Sequence, residues 1–199
     1  MASSRLLVIS GSARRGSLNL QLAAAASAMA RERGAEVTEL DLRGLDLPLY
    51  DGDLEADAGV PAGAAQLRAA LLASDALLLA SPEYNGFPPP VLLNAFDWLS
   101  RLQPADGVPG GSASIAGKPV ALLSASPGAL GGLRALAVTR QYLGAGMGML
   151  VLPQQHALAR AHEAFGDDGS LKDERSAASV AQVVEALLGV AAALAAARA

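Results

Sequence analysis

Short continuous runs of apolar residues recur along the chain and alternate with longer stretches rich in alanine and leucine. A continuous apolar run is typical of a strand that is covered on both faces, and the longer stretches are long enough for helices. A fifth segment, 36–42, alternates less regularly, as an edge strand with one wetter face does. The pattern predicts strands at 6–10, 36–42, 76–80, 120–124 and 150–152, and helices at 18–33, 61–74, 89–101, 130–143 and 174–197.

This regular alternation of strand and helix predicts the architecture. Strands that are joined through helices run parallel and are connected by right-handed crossovers. The sequence therefore predicts a three-layer α/β fold with a five-stranded parallel sheet and helices on both faces. Residues 107–117 are small and include a proline, which indicates an insertion loop, and we expect residues 1–199 to form a single domain.

Composition narrows the class of protein. The 199 residues are 52% hydrophobic and 17% charged, with a formal net charge of −4, which argues against disorder and against a nucleic-acid partner. There is no cysteine, so disulfides, thiolate catalysis and iron–sulfur clusters are excluded, and a reducing, cytoplasmic location is favoured. The N-terminal apolar run is too short for a signal peptide, and the alanine-rich stretch 186–197 is too short for a membrane span.

The loop after the first strand has the composition of an anion site. It reads SGSARRGSLN over residues 10–19 and opens a helix, where free backbone N–H groups and the helix dipole favour negative charge. Gly11 and Gly16 have the glycine spacing of a Walker A loop, but the lysine is missing, and the glycine triplet of a dinucleotide fingerprint is absent. A polar turn that merely caps the helix is the alternative.

Two further loops follow neighbouring strands and differ in chemistry. Residues 81–90, SPEYNGFPPP, present an aromatic side chain, Tyr84, on a stretch stiffened by prolines. Residues 124–132, SASPGALGG, are small and let a backbone approach a ligand closely. Since ligands of open α/β sheets bind beyond the carboxyl ends of the strands, the three loops together outline a mononucleotide with a flat ring.

The remaining polar residues predict no second site. His156 and His162 are six residues apart, whereas metal ligands on one helical face are three or four apart, so we interpret both as solvated loop residues and expect no metal. Asp173 is placed to cap the last helix. Phe96, Trp98 and Leu99 have helical spacing and are predicted to be core residues.

At the three loops the sequence resembles the NAD(P)H-dependent FMN reductases of the flavodoxin-like fold, a group that includes quinone, azo-dye and chromate reductases. GSARRGSLN resembles the phosphate loop of that family, SPEYNG followed by LLNAFDWLSR resembles its ring-binding loop and helix, and SASPGALGGLRA resembles its third flavin loop. The match covers nearly the whole chain. The resemblance implies the strand order 2-1-3-4-5, which places the first, third and fourth strands side by side.

The resemblance also implies which residues hold the cofactor. The first loop would hold the FMN phosphate, and the second and third would line the ring and its ribityl chain. Phe87 and Leu93 stand where the family usually has serine or threonine and lysine, which bears on the choice of acceptor. The implied cofactor-binding residues are Ser10, Ser12, Arg14, Ser17, Leu18, Asn19, Pro82, Glu83, Tyr84, Asn85, Gly86, Ser124, Ser126 and Gly128.

The function implied is a reductase in which the flavin carries the chemistry, so that no catalytic side chain is required. NADPH or NADH would donate two electrons to bound FMN, and a quinone, azo compound or similar small acceptor would take them in a ping-pong cycle. Apolar helix surfaces at 130–143 and in the last helix favour a homodimer or homotetramer. Two alternatives remain open: a flavodoxin-type electron carrier and a non-catalytic mononucleotide-binding protein.

Overall fold

A five-stranded parallel sheet forms the centre of the computed structural model, which describes residues 3–198. The strands lie in the order β2-β1-β3-β4-β5, as expected, so β1, β3 and β4 are neighbours. Their carboxyl ends therefore meet at one edge of the sheet. The strands are β1 (Arg5–Ser10), β2 (Glu36–Asp41), β3 (Ala76–Ala80), β4 (Pro119–Ala125) and β5 (Leu150–Leu158).

Helices cover both faces of the sheet, which gives the predicted three layers. Helices α1 and α6 pack on one face, and α3, α4 and α5 pack on the other. The two cores take alternate residues of each strand because successive side chains of a strand point to opposite faces. The helices are α1 (Leu18–Glu32), α2 (Gly52–Ala58), α3 (Ala62–Ala73), α4 (Pro90–Ser100), α5 (Leu133–Gln141) and α6 (Glu174–Arg198).

The predicted aromatic core is confirmed on α4. Phe96, Trp98 and Leu99 are fully buried. The indole N–H of Trp98 donates to the carbonyl of Pro48 at 2.7 Å, which satisfies the one polar group of that side chain. This core holds α4, and with it the end of the second loop, against the sheet.

Several helical segments differ from the prediction. Helix α2 was not predicted, because none of its residues is buried and its sequence has no amphipathic pattern. It starts at Gly52 because the side chain of Asp51 accepts a hydrogen bond from the backbone amide of Asp53. The helix predicted at 130–143 begins only at Leu133, and a π-helical turn, Tyr142–Gly146, follows it. The predicted insertion loop contains a short 3-10 helix, Gly111–Ile115.

Strand β5 is six residues longer than predicted. A bulge interrupts its pairing with β4, since Val120 pairs with Val151 while Leu122 pairs with Gln155. Pro153 lies inside this bulge, where a missing N–H is tolerated. The guanidinium of Arg140 donates to the Leu152 carbonyl at 2.5 Å and to the Gln155 side chain at 2.7 Å, and so holds the bulge.

The extension of β5 corrects the interpretation of His156. It is a strand residue and not a solvated loop residue, and its Nε2 atom is buried without a hydrogen-bond partner in the described residues. Burial lowers the pKa of His156, against a smaller opposing effect of Asp173. The imidazole is therefore kept neutral in the fold.

The last helix, α6, packs along the sheet. Val180, Val184 and Leu187 are fully buried there, and Asp173 accepts a hydrogen bond from the Ser176 amide at 2.8 Å, which is the predicted cap. By length and composition alone α6 also qualifies as a membrane span. The core helix of a soluble protein passes the same test, and one face of α6 packs on the sheet through these buried residues.

Candidate functional site

The three loops after β1, β3 and β4 enclose a cleft of about 150 Å³. Nine of the fourteen residues implied by the family resemblance line it. Ala125 and Pro127 line it as well, and neither has a side-chain signal by which a sequence would single it out. The lining consists of Ser12, Arg14, Ser17, Leu18, Asn19, Pro82, Glu83, Tyr84, Ala125, Ser126 and Pro127.

The first loop is ordered by its own serines. The Ser10 hydroxyl accepts from the Ser12 amide at 3.4 Å, and the Ser12 hydroxyl accepts from the Arg14 amide at 3.3 Å. Ser17 caps α1 by accepting from the Asn19 amide at 3.1 Å. Each hydroxyl keeps its proton available as a donor toward the cleft or the loop. Ser10 is thus a support behind the cleft rather than part of its surface.

The backbone of this loop leaves donors free for an anion. Within residues 3–198 the amides of Arg15, Gly16, Ser17 and Leu18 have no hydrogen-bond partner, as expected ahead of a helix. They lie at the positive end of the α1 dipole. Arg14 adds an exposed guanidinium, held loosely by one bond to the Gly16 carbonyl at 3.3 Å. Donors and positive charge therefore converge where a phosphate would sit.

Asn19 joins the first loop to the third. Its amide nitrogen donates to the Ala125 carbonyl at 2.8 Å, and its amide oxygen accepts from the Ala125 N–H at 2.9 Å. The side chain is 2% exposed. With both ends of its carboxamide engaged, Asn19 shapes the cleft by fixing the distance between the two loops.

The second loop ends in a tight hairpin. Tyr84 and Phe87 exchange two backbone hydrogen bonds of 2.9 and 3.0 Å, around Asn85 with φ 54° and Gly86 with φ 87°. Two central residues with positive φ form a type I′ turn, for which Asn-Gly is the preferred pair. Asn85 and Gly86 therefore form the turn itself and lie off the cleft. Tyr84, 46% exposed, is the residue that the turn presents to the cleft.

Glu83 binds the start of α5. One carboxylate oxygen accepts from Nε of Arg134 at 2.7 Å and also from Nη2, and the other accepts from the Ala135 amide at 3.2 Å. The side chain is 9% exposed. Burial by itself would raise the pKa of Glu83, but these hydrogen bonds outweigh it, so the pKa lies below its usual value. Glu83 remains ionised and fastens the second loop to α5.

The third loop approaches the second through Gly132. A Cβ atom at Gly132 would stand 1.9 Å from the Ser124 hydroxyl, and the glycine has φ 91°, so no other residue fits. Ser124 itself is completely buried beneath this glycine, and its hydroxyl has no partner in the described residues. The structure therefore places Ser124 behind the cleft, while Ser126 lines it.

Gly128 lies on the outer side of the third loop. It is exposed, and its amide donates to the Ser126 hydroxyl at 3.2 Å. Its carbonyl accepts from the Arg160 amide at 3.2 Å, which ties the loop to the end of β5. Residues 3–198 contain no group of three His, Asp or Glu side chains positioned for a metal ion. The cleft therefore brings the free amides and the Arg14 guanidinium of the first loop together with the aromatic side chain of Tyr84.

The sequence of the chain matches a known family. Residues 4–163 match the profile of a family described as NADPH-dependent FMN reductase. A quinone reductase of Pseudomonas putida is 38% identical over 169 residues, which is 84% of each chain. An NAD(P)H-dependent FMN reductase of Pseudomonas aeruginosa is 35% identical over 192 residues, which is 92% of each chain.

Solved structures show the same likeness. The flavoenzyme NAD(P)H:(acceptor) oxidoreductase FerB of Paracoccus denitrificans superposes with a TM-score of 0.75 at 32% identity, covering 94% of this chain and 96% of that one. An oxidoreductase of Corynebacterium diphtheriae shares the fold, with a TM-score of 0.66 at 20% identity, over 96% of this chain and 97% of that one.

Proposed function

Because the chain belongs to the NADPH-dependent FMN reductase family, we propose that its cleft holds the FMN with the phosphate on the first loop and the ring between Tyr84 and the third loop. The chain is an oxidoreductase that uses NAD(P)H and FMN. The observation that carries the placement is the set of unpartnered amides at the start of α1, beside Ser12, Arg14 and Ser17. These donors fit a phosphate dianion.

The size of the cleft supports this orientation. A volume of about 150 Å³ is below the roughly 300–1,000 Å³ of a site that encloses a whole ligand. We propose that it takes the phosphate and ribityl chain, with the flat ring at the open mouth. Bound FMN supplies hydride and electron transfer there. The protein contributes position, the positive charge at the phosphate and a mouth open to solvent.

One open mouth has a kinetic consequence. The nicotinamide donor and the acceptor would both approach through it, so one must leave before the other binds. We therefore propose ping-pong turnover. Initial rates at varied NADPH and quinone should give parallel double-reciprocal lines, and intersecting lines would rule out a shared opening.

We propose a quinone or a similar flat compound as the acceptor. The quinone reductase relatives motivate this choice. Tyr84 and Phe87 are 46% and 61% exposed on the second loop, and such rings favour flat, apolar partners. A cytoplasmic homodimer or homotetramer is the assembly that we propose.

The placement of the phosphate is tested with Arg14→Gln. The variant removes the charge next to the unpartnered amides, so we expect the Kd for FMN of the apoprotein to rise at least tenfold. Arg68→Gln removes an equal charge from α3 and should leave the Kd unchanged. FMN fluorescence during titration reports both. Equal affinities of Arg14→Gln and the parent would contradict this use of the first loop.

An absorption spectrum and a turnover assay test the activity itself. Freshly purified protein should show flavin bands, and it should oxidise NADPH steadily when a quinone is present. An electron carrier would show the bands without steady oxidation, and a non-redox nucleotide-binding protein would show neither.

A further inference from the structure

Arg160 has a backbone conformation that is unusual for its residue type. Four non-glycine residues of the described chain have positive φ, and the other three are Asp46, Asn85 and Asp106, types that tolerate the left-handed region. Arg160 has φ 47° and a long side chain with no such preference. Strained positions of this kind persist where the surrounding structure holds them, and they concentrate at functional sites.

The surrounding contacts fix Arg160 at the rim of the cleft. Its amide donates to the Gly128 carbonyl at 3.2 Å, and the next amide, of Ala161, donates to the Ser126 carbonyl at 3.0 Å. Ser126 and Pro127, in the same loop, line the cleft. The backbone of Arg160 is therefore held against the third loop, whose residues Ser126 and Pro127 line the cleft, and its exposed side chain starts from this edge.

The charge of Arg160 is uncommitted. Its side chain is exposed and makes no hydrogen bond or ion pair with any residue between 3 and 198. By contrast, Arg134 is held by Glu83, and Arg140 by carbonyls of β5. The nearby carboxylate of Glu163 lies 3.2 Å from Nε2 of His162. The molecule has a net charge of −4 and therefore repels a polyanionic ligand, so an unpaired cation at this rim favours binding of such a ligand.

We propose that Arg160 binds the 2′-phosphate of NADPH and so makes the protein select NADPH over NADH. The inference rests on the flavin and donor positions proposed above. With the nicotinamide over a ring at the mouth, the adenosine half of the donor extends over the rim. The FMN phosphate belongs to the first loop, which leaves Arg160 for a different phosphate. A guanidinium offers the paired donors that match phosphate oxygens.

The conformation of Arg160 provides a clean test. Arg160→Gly removes the guanidinium and replaces a strained residue with the one that tolerates φ 47°, so the melting temperature should stay equal or rise. The KM for NADPH should rise about fivefold, the size of one exposed ion pair, while the KM for NADH stays within twofold. Arg160→Asn, which also tolerates this φ, should behave in the same way, and Arg68→Gln should change neither KM.

A binding measurement separates this inference from the activity. Adenosine 2′,5′-bisphosphate is titrated calorimetrically into the FMN-loaded parent, with AMP as the reference ligand. The bisphosphate should bind the parent more tightly than AMP, and Arg160→Gly should abolish the difference. An equal rise of KM for both donors would assign Arg160 to the pyrophosphate and overturn the proposal, as would unchanged selectivity. Absence of any NADPH oxidation, with the bisphosphate preference intact, would contradict the proposed turnover alone.

Discussion

Several polar side chains of this site already have hydrogen-bond partners within the protein. Both ends of the Asn19 carboxamide form hydrogen bonds with the backbone of Ala125, and both carboxylate oxygens of Glu83 accept hydrogen bonds from the start of α5. The family resemblance implies that Asn19 helps to hold the FMN phosphate. The structure gives Asn19 a positioning role. The residue is only 2% exposed, and a buried carboxamide needs hydrogen-bond partners within the protein.

Glu83→Gln tests the fastening of the second loop. The variant loses the ion pair with Arg134, so at pH 7 we expect the free energy of unfolding to fall by about 1 kcal/mol, since Arg134 is largely exposed. The pKa of Glu83 is lower in the folded state than in the unfolded chain, so its contribution is complete above the unfolded pKa and is lost as the pH falls through the folded pKa. Urea unfolding of parent and variant should therefore converge at acid pH. Glu32→Gln, an exposed carboxylate, is the control and should show no difference at either pH.

Gly86→Val and Tyr84→Ala separate backbone shape from ring contact. Valine at φ 87° breaks the type I′ turn, so we expect FMN binding by the apoprotein to be lost or reduced at least a hundredfold. Tyr84→Ala removes an aromatic contact of roughly 0.5–1.5 kcal/mol and should weaken FMN by no more than about tenfold. Titration of both variant apoproteins with FMN measures the two affinities. If Tyr84→Ala loses FMN altogether while Gly86→Val retains it, stacking rather than turn geometry holds the ring.

At the scale of whole elements, apolar runs were sufficient to predict the five strands and five of the helices, whereas the strand order followed from the family resemblance. Apolar runs did not predict the elements whose bounds depend on local hydrogen bonds. Pro153 ended the predicted fifth strand, yet the bulge held by Arg140 carries the chain past it to Leu158. Helix α2 was not predicted because none of its residues is buried. The three loops of the cleft were predicted because each follows a buried strand. Ala125 was not predicted, because it contributes through backbone hydrogen bonds to Asn19, which a sequence does not reveal.

The extended β5 makes stability depend on pH through His156. Burial lowers its pKa in the folded state, so the unfolded chain takes up a proton first as the pH falls below about 6.5. The free energy of unfolding should therefore decrease from pH 7 toward pH 5. His156→Gln should flatten this decrease, and His162→Gln, half-exposed in a short 3-10 helix, should retain it. Parallel pH profiles of the parent and His156→Gln would show that the group responsible lies elsewhere.

For the molecule as a whole, four exposed apolar side chains lie on or next to the loops that form the cleft. Leu130 and Leu133 are 54% and 47% exposed. Their loop approaches the second loop closely, since a Cβ atom added at Gly132 would lie 3.6 Å from the Cβ atom of Glu83. Tyr84 and Phe87 follow on the adjacent loop. A surface of this kind supports the proposal of an assembly of at least two chains.

Leu133→Arg tests that assembly. A charge placed in the centre of an apolar contact should dissociate it, because the buried cation would have no partner. Light scattering at micromolar concentration should give at least twice the 20.0 kDa of one chain for the parent and a single-chain mass for the variant. Leu72→Arg, an exposed leucine on α3, should keep the parent mass. A parent that scatters as one chain removes the proposal.

The pair of bonds between Asn19 and Ala125 also sets the order of events during synthesis. It joins positions that are 106 residues apart, so a growing chain cannot close it before β4 has left the ribosome. Contacts of such long range form late because their loop must close first. The first loop thus acquires its final spacing relative to the third only when four of the five strands exist, so we expect tight uptake of FMN only after β4 is in place.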